Sequence, residues 1–227
     1  MNLAHLSLLE QTVFVLAALA LFLSFALLAQ TRLTTMIHLF AWQGFLLALL
    51  TGVVATVAHT HHLYISALLT LALKALLIPW MLHRLTRRLQ LERHQERLQH
   101  QALVMMAAAG LVIFSYWIVL PIARLELIST RNVISLSLAI VQLGMLLMVA
   151  RRQVVAQVIG FMSMENGLFL AAVAATRGMP LVVELGIAFD VLVAAVLFGV
   201  FFFHIRESID TLDVDQLTRL SEEEREQ

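Results

Sequence analysis

The sequence predicts an all-α integral membrane protein with seven transmembrane helices. Of its 227 residues, 61% are hydrophobic and only 13% are charged, and this charged share is about half that of an ordinary soluble domain. So little polar surface cannot cover a soluble domain of this size. The apolar residues also fall in long runs with few or no charges, which is the pattern of membrane-spanning segments.

Seven apolar runs are long enough to span a bilayer. Each has about 19–23 residues, which at about 1.5 Å per residue crosses a hydrocarbon core of about 30 Å. The runs are continuously apolar, whereas strands of a membrane barrel alternate, so helices are predicted. The first run lacks a basic start and a cleavage site, which predicts a retained helix and not a signal peptide. The predicted helices cover residues 11–29, 36–58, 63–82, 102–123, 132–150, 153–175 and 181–203.

The arginines predict the orientation of these helices. Seven spans put the two termini on opposite sides, and eleven of the fourteen arginines lie on the side of the C-terminus. The other side carries Arg124, Arg131 and Arg177. Because basic residues concentrate in cytoplasmic loops, the N-terminus is predicted outside and the C-terminus in the cytoplasm.

The chain divides into four predicted parts. Residues 1–82 form a first three-helix unit, and residues 132–204 form a second one. Between them, residues 83–131 hold a basic cytoplasmic segment followed by the connecting fourth helix. The basic segment is predicted to lie on anionic headgroups or on a partner subunit. Residues 205–227 form an acidic cytoplasmic tail.

The two three-helix units are predicted to be a parallel repeat. The sequence WQGFLLA at 42–48 in the second helix is similar to ENGLFLA at 165–171 in the sixth, and each helix follows a short basic turn. An odd number of spans plus the connecting helix makes both copies enter the membrane from the same side. The alternative is chance similarity between apolar helices.

Four charged residues lie inside the predicted spans, namely Lys74, Glu165, Glu184 and Asp190. A charge at the centre of a span costs roughly 2.5–3.5 kcal/mol on insertion scales, so such residues usually face a bundle interior, water or an opposite charge. Helical rise places Lys74, Glu165 and Asp190 near the midplane of the bilayer. Glu184 lies shallower, about one turn inside the outer edge.

These charges predict a proton relay. Lys74 is the only lysine of the chain, and buried lysines and buried carboxyl groups can both gain and lose protons. One lysine and two acids at the same depth therefore indicate a relay within the membrane plane. The alternative is a static ion pair that holds helices together. The relay is favoured because two acids and the shallower Glu184 are more than one pair needs.

Three further residues of the sixth helix accompany Glu165. Gly160 and Gly167 are predicted to let a neighbouring helix approach closely. Asn166 either donates a hydrogen bond to the partner of Glu165 or to a water, or it helps to hold two helices together.

The second half of the chain resembles hydrogenase-4 membrane component E. The resemblance is carried by the Arg151–Arg152 turn, Gly160, the MENG run at 164–167, Glu184 and Asp190, and by the TLDV sequence at 211–214. It covers about 75 residues, while the first half is similar only in its three-helix pattern. That family is grouped with the small K-type subunit of bacterial complex I and the C subunit of Mrp-type antiporters.

The resemblance implies a membrane-arm subunit of a group-4-type hydrogenase or formate hydrogenlyase in a bacterial or archaeal cytoplasmic membrane. Buried carboxylates of such subunits couple electron transfer elsewhere to proton or sodium movement. The implied partners are antiporter-like and other membrane-arm subunits and a peripheral redox module, expected to be a nickel–iron hydrogenase. No cofactor, metal or nucleic acid is expected on this chain, and we expect no catalysis by it alone. It has no cysteine, no net charge and no nucleophile–base pair or phosphate loop.

Two alternatives stay open. The chain could belong to an ion-exchange or ion-driven uptake complex without a hydrogenase, or it could be a purely structural scaffold. One departure from the K-type pattern bears on the role of Glu165 in such a channel. In K-type subunits the first carboxylate falls where this chain has Met162, and Glu165 lies roughly 60° further round the helix.

Overall fold

The computed structural model describes residues 8–58, 61–88, 101–120, 128–176, 186–197 and 199, and every regular element in these ranges is helical. The third helix, α3, consists of three consecutive segments: an α-helix His61–Thr70, a π-helix Leu71–Leu77 and an α-helix Ile78–Arg88. The other helices are α1 (Leu8–Ala29), α2 (Leu33–Ala58), α4 (Gln101–Val119), α5 (Ile128–Ala150), α6 (Val154–Thr176) and α7 (Gly186–Leu197).

The helices α1 to α6 are long and apolar enough to cross a membrane, which makes six candidate spans among the described residues. The seventh predicted span is described only over α7, a shorter apolar helix. Most of the rest of that span, with Glu184, lies outside the described residues. The orientation across the membrane and the two-repeat organisation stay predictions.

The predicted end of the third helix at residue 82 is wrong, because α3 continues to Arg88. Its last turns bury Leu85 and Thr86, and the Thr86 hydroxyl donates a hydrogen bond to the Leu82 carbonyl, 2.7 Å away. Leu82, Leu85 and Thr86 are spaced three and four residues apart and share one face, so packing carries the helix past the apolar run. The predicted basic segment therefore begins as a continuation of α3.

The helices pack around α2, α5 and α6. The most extensive contact joins α5 and α6, while α2 packs against α1, α3 and α6. Contacts of α1 with α2 and α5, and of α4 with α5, complete the bundle. Of the six long helices, α4 is the least buried.

The buried apolar side chains form two separate clusters. The first apolar cluster is built around Leu27, Phe40, Leu82, Leu147, Ile159 and Met162. The second apolar cluster is built around Ala17, Leu47, Leu50, Ile140, Phe169 and Leu170. Along α1, α2 and α6 the members of the first cluster occupy one half of each helix and those of the second the other half. Polar residues fall between them and define a layer at mid-height.

Candidate functional site

The polar layer between the two apolar clusters brings residues from five helices together. Its members are Ser24 of α1, Gln43 of α2, Lys74 of α3, Ser163, Glu165 and Asn166 of α6, and Asp190 of α7, all of them buried. An apolar bundle tolerates such a layer only if its polar groups bind one another, because a buried polar atom without a partner is costly.

Lys74 lies at the centre of the layer, with only 1% of its surface exposed. Its ammonium group donates hydrogen bonds to the Glu165 carboxylate and to the Asn166 side-chain oxygen, the latter at 2.7 Å. The ring of Phe169 adds a cation–π contact, with Nζ 5.5 Å from the ring centre. Lys74 and Glu165 therefore form a buried, hydrogen-bonded ion pair between α3 and α6.

Asp190 is the second carboxylate near Lys74 but is bound differently. Its Oδ1 lies 3.4 Å from the Lys74 Nζ, beyond the usual 2.7–2.9 Å of a charge-assisted hydrogen bond. Asp190 is 1% exposed, and neither of its oxygens accepts a hydrogen bond from the described residues. The site thus holds one ammonium group, one well-bound carboxylate and one poorly bound carboxyl group.

The backbone around Lys74 is unusual. Lys74 lies in the π-helical segment of α3, where the Ile78 N–H bonds to the Leu73 carbonyl five residues earlier. In such a segment each hydrogen bond spans five residues instead of the four of an α-helix, and such segments are frequent at functional sites. Gly44 of α2 packs directly on this segment, since a Cβ placed on it would lie 2.8 Å from the Lys74 Cβ. The absence of a side chain at Gly44 therefore allows Lys74 to enter the layer.

Hydrogen bonds between two side-chain amides connect the remaining polar groups of the layer. Because an ammonium group can only donate, the Asn166 oxygen faces Lys74 and its amide nitrogen donates to the Gln43 oxygen at 3.2 Å. The Gln43 amide nitrogen then donates to Ser24 at 2.9 Å and to Ser163 at 3.1 Å. Gln43 and Asn166 are the two residues that the predicted repeat aligns, and they bind each other across the layer.

The predicted packing glycines lie where α5 and α6 meet. A Cβ on Gly160 would lie 3.0 Å from the Gly144 carbonyl oxygen of α5, and one on Gly167 would lie 2.8 Å from the Val141 backbone nitrogen. Gly144 has the same property toward Met164 of α6, with 2.5 Å to its nitrogen. These glycines allow close backbone contact, which holds α6 and its Glu165 rigidly in place.

Arg151 of the predicted basic turn is buried, although it is an arginine. Its guanidinium donates hydrogen bonds to the carbonyls of Leu28, at 3.2 Å, and Gln30 at the C-terminal end of α1. Gln101 at the start of α4 donates to the Ala29 carbonyl at 3.0 Å. A cation is favourable at this end of a helix because the last carbonyls there have no partners within the helix. Arg151 therefore caps α1 and joins it to the turn between α5 and α6.

The structure brings together Lys74, Glu165, Asp190 and Asn166 of the predicted site, while Glu184 lies outside the described residues. Sequence reasoning missed Ser24 and Ser163, used Gln43 only for the repeat, and gave Gly44 no role at the site. The sequence signal that could have found the polar ones is the occurrence of polar residues within apolar runs. Among the described residues, no three histidines or acids are grouped so that they could hold a metal ion.

The fold and the polar layer define a multi-pass helical membrane protein with buried polar side chains in its core. No protein-family profile and no solved structure matches the chain. It is 32% identical over 189 residues to the uncharacterized protein Rv0085 of Mycobacterium tuberculosis, covering 83% of this chain and 86% of that protein. It is 28% identical over 147 residues to hydrogenase-4 component E of Escherichia coli, covering 65% of this chain and 68% of that protein. The component E of Shigella flexneri matches to the same extent.

The identity and coverage with the mycobacterial protein mean that this chain belongs to the same protein family as Rv0085. The more distant homology to component E supports its place in the hydrogenase-4 membrane family.

Proposed function

We propose that this chain is a membrane-arm subunit of a hydrogenase-4-type complex and that it carries protons through Lys74, Glu165 and Asp190. The observation that carries the proposal is the buried layer in which one ammonium group contacts two carboxyl groups from two other helices. The homology to component E supports the kind of complex.

A purely structural role explains the layer less well. A static pair needs Lys74 and Glu165, which already bind each other. A second carboxyl group, buried beside the pair and accepting no hydrogen bond from the described residues, only adds cost to a static core. The presence of Asp190 is explained if the charges of the layer are redistributed during function. Transport therefore explains the buried Asp190 better than a scaffold does.

Proton relay also depends on how the layer is enclosed. The two apolar clusters lie on either side of it, and such clusters exclude water and limit exchange of charge to specific routes. In the proposed complex, neighbouring antiporter-like subunits would supply and accept the protons at the edges of this layer. The kinship with the K-type subunit of complex I and with Mrp antiporters belongs to the same proposal.

Purification of the intact complex tests the membership. The chain is tagged at its C-terminus and extracted in mild detergent, and its stoichiometric partners are identified by mass spectrometry together with a nickel analysis. We expect antiporter-like membrane subunits and a nickel–iron hydrogenase module. Antiporter-like subunits without nickel would replace the hydrogenase by an ion-exchange or uptake complex. A chain recovered without partners would contradict both.

A further inference from the structure

Asp190 combines three properties that require explanation. It is 1% exposed, neither oxygen accepts a hydrogen bond from the described residues, and the cation beside it, Lys74, is bound to Glu165. If all three groups were ionised, the layer would carry one uncompensated negative charge in an apolar core. An unpaired buried charge is strongly disfavoured, and the usual remedy is to neutralise it.

We propose that Asp190 carries a proton as a neutral carboxylic acid while Lys74 is bound to Glu165, and that Lys74 and the proton exchange places during transport. This inference rests on the proposed function and names the carrier within it. In the exchange, the ammonium group moves from Glu165 to Asp190. The O–H bond of Asp190 breaks, its proton passes to the Glu165 carboxylate that the ammonium group has left, and a new O–H bond forms there. The layer holds one ammonium group, one carboxylate and one carboxylic acid in both states.

The geometry makes the exchange a small movement. The Lys74 Nζ is 3.4 Å from Asp190 Oδ1, and a charge-assisted bond forms at about 2.7–2.9 Å. A shift of less than about 1 Å therefore changes the partner of the ammonium group. Lys74 lies in the π-helical segment, a type of backbone that is frequent at functional sites. Among the described residues, the charged groups that act on Asp190 are Lys74 of α3 and Glu165 of α6.

The same geometry favours a proton over a sodium ion as the bound cation. An alkali ion beside Asp190 would lie next to the Lys74 ammonium group, and like charges at this distance repel strongly in an apolar core. The Asn166 side-chain oxygen, a neutral ligand that sodium would use, is already bound to Lys74 at 2.7 Å. A proton needs only one oxygen of Asp190 and adds no separate charge.

Infrared difference spectroscopy tests the inference on the complex reconstituted in lipid. Variant-minus-wild-type spectra isolate the carbonyl stretch of protonated carboxyl groups, and exchange into deuterium oxide identifies it. We expect this band to be lost in Asp190→Asn. It should also be lost in Glu165→Gln, because Lys74 then takes Asp190 as its partner and Asp190 becomes ionised. It should double in Lys74→Met, where both carboxyl groups lack a cation.

A tail variant, Glu222→Gln, is the control and should leave the band unchanged. A band that survives Asp190→Asn would place the proton on another carboxyl group and overturn the inference. Absence of the band in the wild type would also overturn it. In that case, spectra in sodium and in choline buffers would distinguish an alkali ion from an unneutralised carboxylate.

A second measurement needs no variant. Dicyclohexylcarbodiimide is apolar and modifies protonated carboxyl groups in apolar surroundings, and mass spectrometry locates the adduct. We expect it on Asp190, whereas modification of Glu165 alone would contradict the inference. Both measurements are independent of transport. If the spectra agree but proton movement is normal in both carboxyl variants, the proposed function fails and the assignment of the proton stands. If the spectra disagree but proton movement is lost in both carboxyl variants, the assignment of the proton fails and the proposed function stands.

Discussion

Replacing Lys74 by methionine tests how far the two carboxyl groups depend on their common cation. A surface ion pair contributes only about 0.2–1 kcal/mol, but Lys74 is 1% exposed and contacts both acids. Removing one partner of a buried pair costs about 3–5 kcal/mol. We expect Lys74→Met to lower the free energy of unfolding by about 3–4 kcal/mol, the lower part of this range.

Proton uptake sets an upper limit on that cost. Protonating a carboxyl group with an ordinary pKa of about 4.3 costs roughly 4 kcal/mol at pH 7. This free-energy cost falls by about 1.4 kcal/mol for each unit by which the pH is lowered. The folded variant must bind one more proton than the folded wild type. Because a state that binds more protons gains stability as the pH falls, the deficit of Lys74→Met should shrink between pH 7 and pH 5.

The double variant Lys74→Met/Glu165→Met separates lost charge from lost packing. Well-packed apolar replacements of a buried pair are often neutral or stabilising, so the double variant should be more stable than Lys74→Met alone by about 2–3 kcal/mol. Glu165→Gln alone should cost less than Lys74→Met, because Asp190 is within reach of the ammonium group. Unfolding in mixed detergent micelles, followed by circular dichroism, measures all of these. A cost below about 1 kcal/mol for Lys74→Met, without pH dependence, would refute the reasoning.

Three further predictions concern the frame around the site. Gly44→Ala places a methyl group 2.8 Å from the Lys74 Cβ and should destabilise the protein by about 1–3 kcal/mol. The control Gly52→Ala, whose Cβ meets nothing within 4 Å, should not destabilise it. Thermal unfolding in detergent compares the two variants. Arg151→Met removes hydrogen-bond donors from the carbonyls at the end of α1 and should lower the stability by about 2–4 kcal/mol in the same assay. Arg152→Met, at the exposed neighbouring position, should lower it much less. Equal effects of the two variants would reject the capping role of Arg151. Reporter fusions should place the C-terminus in the cytoplasm and the N-terminus outside, and the reverse pattern would overturn the orientation.

The helices were largely predictable because each apolar run is a local property of the sequence. The end of α3 was not, since its last turns are basic and are held by packing of Leu85 and Thr86 on the bundle. Likewise, the run itself gives no indication that residues 71–77 form a π-helix. That geometry accompanies the close contact of Gly44 with Lys74, which depends on two helices.

The common depth of the charges could be counted along each helix, and Lys74, Glu165 and Asp190 indeed meet. Depth alone does not say which acid the lysine binds, because that depends on the rotation of α6 and α7 about their axes. Met162 illustrates the point. The position where the K-type pattern has its carboxylate is buried in the first apolar cluster, while Glu165, further round α6, faces Lys74.

Proton movement by the complex in lipid vesicles shows most directly whether Glu165 and Asp190 carry protons. The redox reaction of the peripheral module drives it, and a pH-sensitive dye records it in the wild type, Glu165→Gln and Asp190→Asn, with Gly52→Ala as the control. We predict that both carboxyl variants assemble and keep redox turnover but lose proton movement, while the control behaves as the wild type. Normal proton movement in both carboxyl variants would contradict the account.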